Sequence, residues 1–169
     1  NIVFILADDL GYGDIGPFGQ KIIRTPTLDR LAAEGMKFTQ HYAGNAVCAP
    51  SRCVLLTGRH PGHAFIRDNK EVGDWYSGQG QFPIPKTETT LATLLRAEGY
   101  ATGAFGKWGL GGVGTSGDPL QHGFDHFFGF NDQRPAHNYY PQYLIDDAAR
   151  YPLTGNTNVS EKEGLSLPA

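Results

Sequence analysis

A short run of apolar residues that ends in two carboxylates constrains the fold of this chain more than any other feature. The run is Ile2-Val3-Phe4-Ile5-Leu6-Ala7, and the acidic pair Asp8-Asp9 follows it directly. A run of this length and composition predicts a buried strand, parallel and central in its sheet. In open α/β sheets ligands bind at the carboxyl ends of strands, so a site is expected beside Asp8 and Asp9.

The acidic pair itself points to a hard divalent cation. Two adjacent carboxylates repel each other, and a bound cation is the simplest way to keep both ionised. Oxygen ligands favour calcium or magnesium over zinc. A solvated acidic turn is the alternative interpretation of Asp8 and Asp9.

Helix and strand signals alternate along the chain. Predicted helices run from Thr25-Pro26 to Gly35, from Pro50 to Gly58 and from Thr89 to Gly99. Extended segments are predicted over residues 36–43 and 101–105, residues 59–86 resemble a long surface excursion, and from residue 106 onward no periodicity is visible. The alternation predicts an α/β fold, with a central sheet flanked by helices.

Composition excludes some classes of partner. The formal net charge of -3 argues against nucleic acid and anionic membrane surfaces as partners. No stretch approaches the roughly 18 consecutive apolar residues of a membrane span. The two cysteines, Cys48 and Cys53, have neither zinc nor redox spacing. Two small buried thiols are the plainest interpretation of such a pair.

The surroundings of Cys48 favour a reactive group. The segment reads Cys48-Ala49-Pro50-Ser51-Arg52, and Leu55-Leu56-Thr57-Gly58 follows soon after. It places the cysteine at the start of a predicted helix, where backbone N–H groups and the helix dipole favour an anion. Arg52, one turn further on, is suited to hold an oxyanion.

This segment resembles the signature of the type I sulfatases, which belong to the alkaline phosphatase superfamily. Gly106-Lys107-Trp108 resembles the second signature of the family, in which a strand delivers a lysine to the sulfate. The resemblance runs from Asn1 to about Tyr140. It implies an alkaline phosphatase-like fold with a mixed, largely parallel sheet. The sequence departs from the family at Gly109, where many members carry a histidine.

The resemblance also implies a mechanism. A maturation enzyme would convert Cys48 to formylglycine, whose hydrated aldehyde attacks sulfur. Asp8, Asp9 and the modified Cys48 would hold calcium, Arg52 would orient the nucleophile and Lys107 would bind sulfate. The implied substrate is a sulfated small molecule or glycan, and the implied compartment is periplasmic, secreted or lysosomal.

His137 is the histidine weighed as functional, because its polar loop follows the lysine motif. We expect it to reach the sulfate pocket and to protonate the leaving alcohol, and a structural histidine is the alternative. The other five histidines are interpreted as loop or packing residues: His41, His60, His63, His122 and His126. The segment Arg67-Asp68-Asn69 is a candidate substrate contact, and Trp75 and Tyr139-Tyr140 are candidates for stacking on sugar rings.

The resemblance predicts that residues 1–169 are the N-terminal part of a sulfatase catalytic domain and that the remainder, with any C-terminal subdomain, is absent. The family completes its metal site with a later Asp-Asn pair and adds a second lysine. Asp146-Asp147 has no asparagine after it and is not enlisted for this role. Two other interpretations stay open: a phosphodiesterase or phosphonate hydrolase of the same superfamily, and an inactive remnant or binding module.

Overall fold

The computed structural model describes residues 1–72, 81–137 and 139–156. The chain divides into two compact units, Asn1–Tyr42 and Ala43–Ala169. No helix in the described ranges combines the length and the apolar character needed to cross a bilayer.

The first unit is built around one α-helix and two short 3-10 helices, Tyr12–Asp14 and Gly16–Phe18. Helix α1 spans Pro26–Glu34, with Thr25 as its N-cap residue and Gly35 as its C-cap residue, as the sequence predicts. The fixed φ of proline is suited to a first helical turn. The Thr25 hydroxyl accepts a hydrogen bond from the Gly16 N–H at 2.8 Å, which ties the helix start to the preceding turn.

The predicted strand over residues 2–7 is wrong for the structure as described. These residues have no regular secondary structure, and their side chains are exposed, with 86% of Ile5 accessible. A strand needs hydrogen bonds from a neighbouring strand, and no described residue provides them to this segment. The extended segment predicted over residues 36–43 is likewise not a strand.

The second unit contains the remaining described α-helices. They are α2 (Cys48–Thr57), α3 (Leu91–Ala97) and α4 (Gln133–His137), and a 3-10 helix spans Pro119–His122. Helix α2 begins two residues before the predicted Pro50 and ends at Gly58, whose left-handed φ of 65° suits glycine. Helix α3 takes Thr90 rather than Thr89 as its cap, because Thr90 and Thr93 form a reciprocal capping box.

Among the described residues, four strands form one open sheet in the order β1-β2-β3-β4. Their bounds are Gly103–Lys107, His126–Phe130, Tyr143–Asp146 and Ala149–Pro152. The β1–β2 pair is parallel, and the β2–β3 and β3–β4 pairs are antiparallel. The predicted α/β class with a mixed sheet is confirmed.

Strand β1 lies two residues later than the predicted strand over 101–105, because its partner β2 sets the register and pairs Lys107 with Phe130. Strand β2 itself was not predicted, since residues from 106 onward show no periodicity in the sequence. The irregular C-terminal region expected from the sequence is therefore wrong over 119–152, which holds three strands and two short helices.

The hydrophobic core of the second unit combines residues of α2 and β2 with residues of the segments between the described elements. Its buried members are Ala49, Cys53, Ala64, Ile66, Ile84, Trp108, Leu110 and Phe127. Three of them come from residues 59–86, so that segment is not only the surface excursion predicted for it. The Trp108 indole N–H donates to the Gly117 carbonyl at 2.8 Å, so the one polar group of this large side chain is satisfied.

Candidate active site

The first component of the site is the start of helix α2. Cys48 is the first residue of the helix and is half-buried, while Cys53, one turn and a residue later, is fully buried in the core. The Ser51 N–H closes the first turn on the Val47 carbonyl at 3.0 Å. The helix therefore presents the Cys48 end to the surface and holds the second cysteine as a packing group.

The second component is the carboxyl end of strand β1. Lys107 is the last residue of β1, as predicted for a lysine delivered by a strand. The Arg52 guanidinium donates through Nη1 to the Lys107 carbonyl, across 55 positions of sequence. This contact links the second turn of α2 to the end of β1, the strand that carries Lys107.

The third component is His137, the last residue of the short helix α4. Its Nε2 lies 3.5 Å from the Lys107 Nζ. The sequence predicted a polar loop here, and the structure has a helical turn instead, whose N–H at Arg134 is capped by the Asp132 carboxylate at 2.8 Å. The imidazole is exposed, so it faces solvent on the side of Lys107.

Burial raises the pKa of the capping carboxyl, Asp132, against the lowering influence of its hydrogen bond to the Arg134 N–H. Asp132 also lines a cavity of about 190 Å³ between the end of β2 and the β3–β4 hairpin. The carboxyl group that caps α4, the helix that carries His137, is therefore partly shielded from water.

Asp8 and Asp9 lie in the first unit, at a turn directly after residues 2–7. Both are exposed, and Asp9 has a φ of 55°, which non-glycine residues adopt uncommonly. Within this unit they form an exposed acidic turn. Their predicted approach to Cys48 involves the second unit and stays a prediction.

Gly109, where many family members carry a histidine, has two features that disfavour a side chain. Its φ is 75°, in the left-handed region that favours glycine. A Cβ built at this position would lie 3.0 Å from the Cγ of Gln133. The space beside residue 109 is thus occupied by a buried glutamine side chain.

Two residues near the site were not recognised from the sequence as parts of one network. Asn69 accepts a hydrogen bond through Oδ1 from the Ala49 N–H at 2.9 Å, and Gln133 Nε2 donates to the same oxygen at 3.2 Å. The sequence indicates Asn69 only as part of a candidate substrate contact, and it carries no signal for Gln133. A single buried glutamine gives no periodic signal in the sequence, so only the folded structure reveals its contacts.

The other candidates divide by their contacts. Arg67 donates to the carbonyls of Gly62 and Ala64 and so braces its own loop. Tyr139 and Tyr140 are exposed and open to stacking, and Trp75 lies outside the described residues.

The remaining histidines fit the packing and loop roles predicted for them where their contacts are described. His122 is fully buried, with Nε2 2.8 Å from the Ser116 carbonyl. His126 lies 3.0 Å from an Asp147 oxygen, at the end of the sheet opposite Lys107, because His126 begins β2 and pairs with Gly103. With Asp146 these two form a half-exposed group of metal-ligand type, distinct from the site above.

The chain is similar to known proteins over most of its length. The family model described as Sulfatase matches residues 1–162. Mouse steryl-sulfatase is 46% identical over 134 residues, which are 76% of this chain and 22% of the relative. Human arylsulfatase D is 42% identical over 100% of this chain and 30% of the relative. The chain thus spans less than a third of the length of these relatives.

A solved structure from Bacteroides thetaiotaomicron, reported with the metabolism of multiple glycosaminoglycans, superposes with a TM-score of 0.72. It is 33% identical and covers 89% of this chain and 31% of its own. The structural match extends the α/β assignment beyond the four described strands to a sulfatase fold. With the family match over nearly its whole length, the chain belongs to the sulfatase family.

Proposed function

We propose that this chain carries the nucleophile and part of the sulfate-binding site of an enzyme that hydrolyses sulfate esters. The supporting observation is the series of contacts that begins on the helix led by Cys48. Arg52 contacts the Lys107 carbonyl, and the Lys107 ammonium adjoins His137. Cationic side chains and the N–H groups at a helix N-terminus are each suited to bind an anionic ester group.

Each of these side chains has a distinct task. The Lys107 ammonium, a mobile point charge at the end of a rigid strand, binds a sulfate oxygen and stabilises the charge that develops in the transition state. Arg52 orients the nucleophile at Cys48. Its hydrogen bond to the Lys107 carbonyl ties helix α2 to the end of strand β1. His137, when protonated, donates its proton to the oxygen of the leaving alcohol.

The Cys48 position fits the family's formylglycine. It is half-buried at the first position of a helix, where backbone N–H groups favour negative charge. Formylglycine made from Cys48 supplies, when hydrated, a hydroxyl group as nucleophile in place of the thiol.

The donor chemistry of Asp8 and Asp9 fits calcium in the same way. They offer adjacent, exposed carboxylates, the hard oxygen donors that calcium takes. Asp8, Asp9 and the modified Cys48 would hold the calcium ion, which would supply positive charge to the sulfate oxygens. Two carboxylates fill only part of a calcium coordination sphere, so the complete site needs further ligands.

We propose a sulfated carbohydrate as the substrate, and a formylglycine-generating enzyme as the maturation partner. The structural relative reported with glycosaminoglycan metabolism supports a glycan, and the exposed Tyr139 and Tyr140 offer aromatic faces for sugar rings. Residues 1–169 are then the N-terminal part of a larger catalytic domain in a periplasmic, secreted or lysosomal enzyme.

The test uses the full-length protein, with release of sulfate from an aryl sulfate and from sulfated oligosaccharides as the readout. Cys48→Ala is expected to abolish release. Cys53→Ala, the matched control, leaves most of it, because Cys53 is buried in the core. Comparable losses from both substitutions would mean that the nucleophile is assigned wrongly. Hydrolysis of a phosphodiester in preference to every sulfate ester would replace the proposal with the superfamily's phosphodiesterase activity.

A further inference from the structure

The helix that begins with Cys48 has no cap from its own sequence. Val47 occupies the N-cap position, and its side chain has no oxygen to accept from the first helical N–H groups. Asn69, 20 positions further along the chain, acts as the cap, because its Oδ1 accepts a hydrogen bond from the Ala49 N–H at 2.9 Å. The N–H that directly follows the nucleophile position is therefore held by a remote side chain.

The oxygen of this cap also accepts from a second donor. Gln133 Nε2 donates to the same Asn69 oxygen at 3.2 Å, so both donors converge on Oδ1. The Ala49 N–H is a backbone donor that cannot turn, so Asn69 must present Oδ1 to it and not its NH₂ group. Gln133 adds a second hydrogen bond that holds the Asn69 side chain in this orientation.

Gln133 is also anchored to the two other parts of the site. It is the first residue of helix α4, whose last residue is His137. Its Cγ would lie 3.0 Å from a Cβ at position 109, so the side chain packs directly over Gly109, two residues after Lys107. One side chain therefore belongs to the helix that carries His137, packs against the backbone after β1 and is linked to the start of α2 through Asn69.

The polar nature of Gln133 needs an explanation that packing does not give. The residue is only 5% exposed, and its Oε1 accepts no hydrogen bond from any residue in the described ranges. Burying an amide with an unsatisfied oxygen costs free energy that an apolar side chain of similar volume would avoid. The donor group at Nε2 is the part of the side chain with a partner.

We infer that Gln133 and Asn69 are positioning residues that hold the Ala49 N–H and, through it, the nucleophile at Cys48. The catalytic consequence rests on the proposed function, because small misplacements of a nucleophile lower the rate of the chemical step. The hydrogen-bond network itself does not depend on that function.

The experiment uses the full-length protein with Gln133→Met, which keeps the volume and removes the donor, and with Asn69→Ala at an exposed position. Gln81→Met is the matched control. Gln81 is another buried glutamine, 3% exposed, whose Nε2 donates to the Lys70 carbonyl instead of to Asn69. Hydrogen exchange of the Ala49 amide is measured by mass spectrometry with peptide fragmentation. Pro50, which has no N–H, separates this amide from that of Ser51.

Gln133→Met and Asn69→Ala are each expected to speed exchange at Ala49 at least about fivefold, the effect of losing one hydrogen bond. They are expected to lower kcat about tenfold with KM changed less than about twofold, since the change affects alignment and not substrate affinity. The double variant is expected to be no worse than Asn69→Ala alone, because both changes break one network. Gln81→Met is expected to leave exchange at Ala49 and kcat unchanged.

Wild-type protection of Ala49 in both single variants would overturn the network. Faster exchange with unchanged kcat in an active enzyme would overturn the positioning role. The mass of the Cys48 peptide shows whether a variant has merely escaped maturation, and kcat is compared per converted Cys48. If Gln133→Met does not fold, Asn69→Ala alone decides, because its side chain is at the surface. If the wild-type protein releases no sulfate from any ester, the proposed function fails, and exchange at Ala49 still decides the network.

Discussion

The two units of this chain differ in how far sequence patterns become structure. In the first unit, helix α1 begins and ends at the predicted residues, while the apolar run over residues 2–7 is exposed and has no strand partner among the described residues. In the second unit, residues 55 positions apart, Arg52 and Lys107, are in contact, and Lys107 adjoins His137. Helix signals were realised in both units, and strand signals only where a neighbouring strand is described.

The difference follows from the range of the interactions involved. A helix satisfies its backbone within a few residues, so caps, prolines and glycines in the sequence determine its bounds. A strand satisfies its backbone through another strand, so an apolar pattern by itself cannot order it. The second unit follows the same rule. Its strands β1 and β2 pair in parallel, and each satisfies backbone groups of the other.

Among substitutions that test the contacts of the second unit, the largest loss of activity is expected at His137. If its contact with Lys107 serves catalysis, His137→Ala in the full-length protein should lower kcat about a hundredfold or more, the usual scale for losing a general acid or an oxyanion donor. His63→Ala is the control, since His63 is an exposed loop histidine without a proposed role. Near-normal turnover of His137→Ala would show that the acid lies elsewhere and that His137 only packs against Lys107.

The sequence identified the parts of the candidate site better than their arrangement. Cys48, Arg52 and Lys107 carry motif signals, and their roles stay predictions that the observed contacts support. His137 was placed in a loop, and the structure puts it at the end of α4, because Asp132 caps a helical turn that has no periodic pattern. Gln133 has neither motif nor periodicity, and its importance depends on tertiary contacts alone.

A second prediction tests why the family histidine is missing at Gly109. Gly109 and Gly114 have the same φ of 75°, but a Cβ at Gly109 would crowd Gln133 while nothing lies within 4 Å at Gly114. Both Gly→Ala substitutions should lower the free energy of unfolding by about 1–3 kcal/mol for backbone strain. Gly109→Ala should cost more, and only Gly109→Ala should also speed exchange at the Ala49 amide.

Urea unfolding of the two glycine variants, measured side by side, gives the comparison. Because the two positions share the same φ, the difference between them reports chiefly on the contact with Gln133. Equal losses of stability would mean that Gln133 yields freely, and a histidine at 109 would then be excluded by backbone strain alone.

The smallest effect is expected in the first unit. Asp8 and Asp9 supply only part of the six to eight oxygens that calcium usually takes, so residues 1–169 alone should bind calcium weakly. Titration calorimetry on this segment should show little heat at micromolar protein, and the full-length protein should bind calcium stoichiometrically. Tight stoichiometric binding to residues 1–169 would contradict the partial ligand set, and Asp8→Asn with Asp9→Asn would identify whether these carboxylates hold the ion.

The central claim is that Cys48 is the precursor of the nucleophile, and the mass of its peptide tests this most directly. Trypsin cuts after Arg52, so Cys48 and Cys53 fall in different peptides of the same digest, and the Cys53 peptide serves as an internal control. In a full-length preparation that releases sulfate, the account predicts that the Cys48 peptide has lost the mass of H₂S and gained an oxygen atom, while the Cys53 peptide keeps its thiol. An active preparation in which Cys48 remains an unmodified cysteine would contradict the account.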